Sequence, residues 1–211
     1  MQTNIIGIIA DDHQLFADSF SNLLEHTGFF TEVQSFADTR SLFQYLLKNT
    51  KKEGYLFLDY YLNDQVGIGI INEIRRLNKN IKIIILSSVT NPVAIQTMMS
   101  FHPDGFISKS AGFGVVLDCL QNVKHGTTYC CSFIESKIEE SLHHDSVDFS
   151  PREMEILQYF AKGFSVIETA DRLFLSKHTV VTHRRSMMAK TQSKTITELL
   201  AFARKYGILL D

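Results

Sequence analysis

The stretch Tyr-Leu-Phe-Leu-Asp-Tyr-Tyr at residues 55–61 carries a single carboxylate, Asp59, out of an otherwise apolar run. Such a run suits a strand buried on both faces of a parallel sheet, where each face is covered by helices. An acid at the carboxyl end of a strand of that kind stands where α/β sheets gather their ligands. A lone Asp more often just ends its strand, so the residues around Asp59 in the fold have to decide its meaning.

The rest of the first half repeats one unit. Residues 5–10 form an apolar run that ends in Asp11 and Asp12, and a helical pattern follows through Leu15, Phe16, Phe20, Leu23 and Leu24. Residues 33–36 read as a second strand, and Asp38 can cap a helix bearing Leu42, Phe43, Leu46 and Leu47. After the strand at 55–58 come a helix through Ile70, Ile71, Ile74 and Leu77, a strand at 82–86, and a helix capped by Asn91 and started by Pro92. A short fifth strand at 105–108 and a last helix at 115–123 complete the series. Five strands alternating with helices predict an α/β domain built on a doubly wound, five-stranded parallel sheet.

In such a sheet the polar residues at the strand ends converge. The first strand offers Asp11 and Asp12, the third Asp59, the fourth Ser87 and Ser88, and the fifth Lys109. Crowded carboxylates repel one another and call for a cation, and hard oxygen ligands with room for water suit magnesium. A lysine and a hydroxyl beside a carboxylate can receive a phosphoryl group placed on it, with Asp59 as the nucleophile. Each residue has a bland explanation by itself. Their convergence at four strand ends is what makes a site.

This half resembles the receiver domain of bacterial response regulators, which have a flavodoxin-like fold, over roughly residues 4–128. The resemblance implies that Asp11 and Asp12 are the acidic pair, Asp59 the phosphoacceptor, Ser87 the switch hydroxyl, Lys109 the invariant lysine and Phe106 the aromatic that changes rotamer on activation. It also implies a magnesium ligand from the Tyr61 backbone carbonyl. Gly67 fits the family's loop glycine, whereas Asn63 stands where proline is usual. Tyr61 and Val89 occupy positions that, in the family this half resembles, face the incoming phosphodonor or attacking water.

Charge divides the chain. Residues 1–149 hold 11 Lys/Arg against 17 Asp/Glu, and residues 150–211 hold 10 against 6. A basic tail points to a polyanion such as nucleic acid. Residues 129–149 read as a linker with a short helical pattern near 133–142. From residue 150 the pattern is wholly helical, with four short helices and three capping boxes: Ser150 with Glu153, Ser165 with Glu168, and Thr195 with Glu198. Ser176 caps the third helix, whose Val180, Met187 and Ala189 are placed inward.

That helix reads Lys-His-Thr-Val-Val-Thr-His-Arg-Arg-Ser-Met-Met-Ala-Lys after Ser176, a basic and hydroxyl-rich face joined to its predecessor by a short turn. Ser-Pro-Arg-Glu-x-Glu-Ile-Leu at 150–157, Gly163, and Ser176-x-x-Thr179-Val180-x-x-His183 with Lys190 resemble a LuxR-type helix-turn-helix domain. Together the halves resemble the NarL/FixJ/LuxR class of response regulators. The resemblance implies base reading by Val181, Thr182 and Arg185, phosphate contacts from Lys177, Thr179, Arg184, Lys190 and Lys194, a partner histidine kinase, double-stranded DNA as target, and a homodimer when active. It gives Leu199, Leu200 and Phe202 either a dimer or a core role. The family commonly has Asn-Lys where this chain has Val166 and Ile167, and often a lysine at Val181.

Two rivals remain at this level. One is a DNA-binding regulator that works without phosphorylation. The other is an aspartyl-phosphate hydrolase, against which Tyr61 stands where such enzymes place a second Asp. No apolar stretch approaches a membrane span, and the N-terminus lacks the basic region and cleavage site of a signal peptide, so a cytoplasmic protein is expected. Cys119, Cys130 and Cys131 show no ligand spacing, and a cluster of Cys130 with His143 and His144 has no further support.

Overall fold

Successive residues of each central strand are apolar and go to opposite faces, so both faces of the sheet must be covered. The computed structural model describes residues 4–62, 65–66, 70–142, 147 and 149–209. It divides into two compact units, residues 1–88 with 103–135, and residues 89–102 with 136–211.

The first unit holds a parallel sheet of β1 (Ile5–Ala10), β2 (Glu32–Phe36), β3 (Glu53–Asp59), β6 (Ile81–Ser87), β7 (Gly105–Ser108) and β8 (Tyr129–Cys130), in the order β2-β1-β3-β6-β7-β8. A separate antiparallel pair joins β4 (Tyr61–Leu62) to β5 (Gln65–Val66). Five of the six sheet strands are those the sequence predicts. The sixth, β8, pairs with Gly105 and Phe106 of β7 and has only two residues, too few to carry a strand pattern.

Helices α1 (Gln14–His26) and α5 (Phe113–Lys124) bury Phe20, Leu24, Val116 and Leu120 against Ile9, Phe57, Ile84, Leu86 and Ile107. Helices α2 (Thr39–Lys48) and α3 (Ile71–Leu77) pack on one another and touch β2 and β6 respectively. Asp38 accepts from the Ser41 N–H at 2.8 Å and so starts α2. Gly54 allows β3 to lie close to β1. A Cβ there would sit 2.5 Å from Ile6 Cγ1 and 2.7 Å from the Ile6 carbonyl oxygen.

The second unit contains α4 (Pro92–Met99), capped by the Asn91 side chain, and the C-terminal helices α7 (Pro151–Ala161), α8 (Val166–Arg172), α9 (Lys177–Lys190) and α10 (Ile196–Lys205). Helix α6 (Ser132–Leu142) spans the boundary between the units. Beyond α4, Ser100 Oγ donates to the Phe149 carbonyl at 3.2 Å. The capping boxes at Ser150 and Ser165 are complete. The third is half formed: Thr195 accepts from the Glu198 N–H, but the Glu198 carboxylate takes the N–H of Lys194 at 2.7 Å instead of that of Thr195. Gly163, at φ 83°, supplies the left-handed residue that ends α7. Among the described residues no helix is long and apolar enough to cross a membrane.

Gly54→Ala is expected to destabilise the protein by about 1–3 kcal/mol through overpacking between β1 and β3, read as a lower urea midpoint.

Candidate functional site

Strands β1 and β3 are neighbours, with Ala10 opposite Leu58, so Asp11 and Asp59 emerge side by side. The strand order runs outward in both directions from β1, which makes this the switch point of the sheet. Lys109 arrives from beyond β7, its N–H donating to the Ser87 carbonyl at 2.9 Å. Its Nζ lies 2.7 Å from Asp11 Oδ2 and 2.8 Å from Asp59 Oδ2, and 4.9 Å from the centre of the Phe16 ring. Asp11 and Asp59 are buried, while Asp12 stands on the exposed rim.

Burial pushes the Asp59 carboxyl up to about 6 from 3.8. Lys109 opposes that rise, Asp11 adds to it, and the Tyr61 N–H, 3.4 Å from Asp59 Oδ1, opposes it. One ammonium therefore does not offset the burial of Asp59, and further positive charge beside it would be favourable.

His13, which the sequence reading passed over, also faces the pocket. Its Nδ1 is 3.2 Å from Asp11 Oδ1, 3.1 Å from Asp12 Oδ1 and 3.8 Å from Asp59 Oδ2. One ligand atom from each of Asp11, Asp12, His13 and Asp59 lies within 4.8 Å of the others. The carboxylates form a hard donor set that fits a divalent cation. The Asp-Asp-His order was the only signal in sequence, and a His at a helix start is weak by itself.

Ser87 is buried at the end of β6, in register with Ser108 of β7. Phe106 is fully buried on β7. Tyr61 begins β4, half-buried, with its ring 4.5 Å from that of Tyr60, and Val89 is also half-buried. Asn63, Gly67, His143 and His144 lie outside the described residues. The three cysteines are free thiols.

In the second unit α9 buries Val180 and Met187. Ser176 accepts from the Thr179 N–H at 3.0 Å, and its hydroxyl meets the Thr179 hydroxyl at 2.8 Å. Lys177, His178, Thr182, Arg185 and Ala189 are exposed and Val181 is half-buried, so Ala189 is outside, not inside. The spacing 178, 182, 185, 189 forms one stripe, which adds His178 to the face. Arg184 falls instead on the 180–184–187 side, half-buried with its Nε enclosed.

Lys190 Nζ is 2.7 Å from Oε2 of Glu153, a residue only 3 % exposed. Burial acts to raise the Glu153 carboxyl, but hydrogen bonds from Lys190, the Ser150 N–H and Ser186 outweigh it and hold it below its usual value. The pair clasps α9 to the capped start of α7. Lys194 is exposed just before α10.

Residues 8–121, more than half of the chain, match the family described as the response regulator receiver domain. The chain belongs to the response regulators. Residues 147–203 of this response regulator match the bacterial regulatory proteins of the luxR family. It is 26% identical over 207 residues to the fimbriae Z protein of Salmonella typhimurium, covering 96% of this chain and 97% of that one. It is 27% identical over 214 residues to the oxygen regulatory protein NreC of Staphylococcus haemolyticus, covering 96% and 98%. Among solved structures it is similar to RcsB from Salmonella enterica serovar Typhimurium bound to promoter rprA in the presence of phosphomimetic BeF3-. That match has 26% identity and a TM-score of 0.69, and covers 94% of this chain and 98% of that one.

In this response regulator the raised Asp59 carboxyl has a stability consequence. Its folded-state value lies above the unfolded one, so its contribution is present below about pH 4 and is lost as pH rises through about 6. The difference between about 6 and 3.8 corresponds to at most about 3 kcal/mol. Without divalent cations, Asp59→Asn is expected to be more stable than the native protein at pH 7.5, by about 1–3 kcal/mol. The gap should close below about pH 4, as followed by urea unfolding across pH.

Proposed function

We propose that a partner histidine kinase phosphorylates Asp59 of this response regulator, and that the phosphoryl group controls how the luxR-family unit binds DNA as a homodimer. The observation that carries this reading is the bridging of buried Asp11 and Asp59 by Lys109, in a chain whose other unit is of the luxR family. An Asp59 carboxylate oxygen attacks the phosphorus of the kinase phosphohistidine, an acyl-phosphate bond forms, and the bond to the imidazole nitrogen breaks. Lys109 supplies fixed positive charge beside the transferred group, and Ser87 donates a hydrogen bond to it. Phe106, in a register position beside Ile85, follows Ser87 in the change of state. Asp11, Asp12, Asp59 and the Tyr61 carbonyl would hold magnesium, which supplies charge neutralisation for the phosphoryl oxygens.

This chemistry makes the protein a participant in its own phosphotransfer and dephosphorylation, not an enzyme for other substrates. Its domains are read as a receiver at 1–128, a linker at 129–149 and a DNA-binding domain at 150–211. Its target places it in the cytoplasm.

On DNA, Val181, Thr182 and Arg185 of α9 would face base edges, while Lys177, Thr179 and Lys194 would contact phosphates; Arg184, given a phosphate by resemblance, lies on the inward side of α9. The DNA complexes of the similar protein RcsB, one of them described as two RcsB dimers bound to two parallel DNAs, support both the target and the dimer. A two-fold dimer favours an inverted-repeat operator with half-sites about one helical turn apart. Lys190, assigned to a phosphate by resemblance, is engaged by Glu153, so its first task is to hold α9 in place.

Incubation with a radiolabelled histidine-kinase phosphodonor should label the native protein on an acid-stable, base-labile acyl phosphate and leave Asp59→Ala unlabelled. Labelling of that variant would refute the assignment. For operator DNA, Lys177→Gln should reduce the slope of log K against log salt by about 1, as for one lost phosphate contact. Lys190→Gln should leave the slope unchanged and lower the melting temperature instead, because it strands the buried Glu153 carboxylate.

A further inference from the structure

We propose that His13 is an additional ligand of the cation in the Asp11–Asp12–Asp59 pocket, and that it makes the site prefer manganese(II) over magnesium. The inference rests on the reading of those carboxylates as a cation site.

The distances carry it. Two neighbouring ligands on an octahedral ion with bonds of about 2.1 Å lie about 3 Å apart. His13 Nδ1 is 3.1 Å from Asp12 Oδ1 and 3.2 Å from Asp11 Oδ1, which are adjacent-ligand spacings, and 3.8 Å from Asp59 Oδ2. A small ion could thus take the imidazole nitrogen together with the two paired oxygens. The backbone keeps the ring there, since the His13 N–H donates to the same Asp11 Oδ1 at 2.9 Å.

The side chain does not cap its helix; its Nδ1 meets Asp11 Oδ1 at hydrogen-bond distance, a contact that the ion would replace. His13 occupies the position before α1, where Ser, Thr, Asp or Asn would cap, and makes no side-chain cap hydrogen bond. It is 71% exposed, so nothing in the core depends on it.

Nitrogen is the donor that separates the two metals. Magnesium favours oxygen and retains its water, whereas first-row transition ions take imidazole more readily, manganese(II) the least of them but still more than magnesium. Three carboxylates alone would serve either ion. The addition of His13 Nδ1 tilts the set toward the softer one.

The test uses the full-length protein and manganese(II) itself. Binding is followed through loss of the free-ion signal in electron paramagnetic resonance, magnesium is titrated as competitor, and pulsed measurements detect directly coordinated nitrogen. The native protein should bind manganese more tightly than magnesium and show the nitrogen coupling. His13→Ala and His13→Gln should lose that coupling and weaken manganese binding by at least about tenfold, because even an outer-shell partner of a ligand is worth that much. Circular dichroism confirms that both variants are folded.

Nitrogen coupling absent from the native protein, or unchanged in His13→Ala, overturns the proposal. If Asp12→Ala and Asp59→Asn abolish manganese binding while the His13 variants bind it as the native protein does, the carboxylate pocket stands and only the role of His13 falls. If the native protein binds neither ion, the pocket reading falls as well.

Discussion

Lys109 holds two buried carboxylates that would otherwise repel one another, with Nζ 2.7 Å from Asp11 and 2.8 Å from Asp59. Burial favours the protonated form of Asp59, and the rise of its carboxyl to about 6 shows how incompletely one ammonium offsets that burial. The pocket therefore carries an electrostatic deficit that a cation can fill. It also carries a cost to folding that a purely structural site would avoid, since an asparagine at 59 would remove the buried charge.

The geometry that creates this deficit comes from the sheet. Parallel register places Ala10 against Leu58 and Ser87 against Ser108, so the residues just beyond those positions converge without any loop having to reach far. The Lys109 N–H bond to the Ser87 carbonyl ties the lysine to the end of the neighbouring strand. A change in charge at Asp59 thus acts directly on the Lys109 ammonium, whose backbone is bonded to the end of β6. Gly54 contributes at the other end of β3, where the close approach to Ile6 leaves no room for a side chain.

Much of this was legible in sequence because the apolar runs are long and each ends in a polar residue. Asp11, Asp59 and Lys109 could be placed together from strand alternation alone, and Asp38, Asn91, Ser150, Ser165, Ser176 and Thr195 cap the helices their patterns call for. What stayed hidden depends on contacts distant in sequence or on elements too short for periodicity. The two-residue strand Tyr129–Cys130 exists through its pairing with β7. Lys190 reads as a solvent-facing cation until Glu153, 37 residues away, is brought against it. Arg184 and Ala189 exchange sides because the inward face of α9 runs through 180, 184 and 187.

Those exchanges bear on how the output helix can work. With Lys190 committed to Glu153 and Arg184 partly enclosed, Lys177 and Arg185 are the long cations most open along α9 among the described residues. Val181 stands where the family often has lysine, and Val166 and Ile167 replace its common Asn-Lys, so the surface is poorer in charge still. Non-specific attraction scales with the number of phosphates neutralised, so few free cations mean weak binding by a single copy. A second copy on the same DNA raises the effective concentration of the first and doubles its phosphate contacts. If α9 reads DNA as proposed, its scarcity of charge would make occupancy depend on pairing, the step that a phosphoryl group on Asp59 would govern.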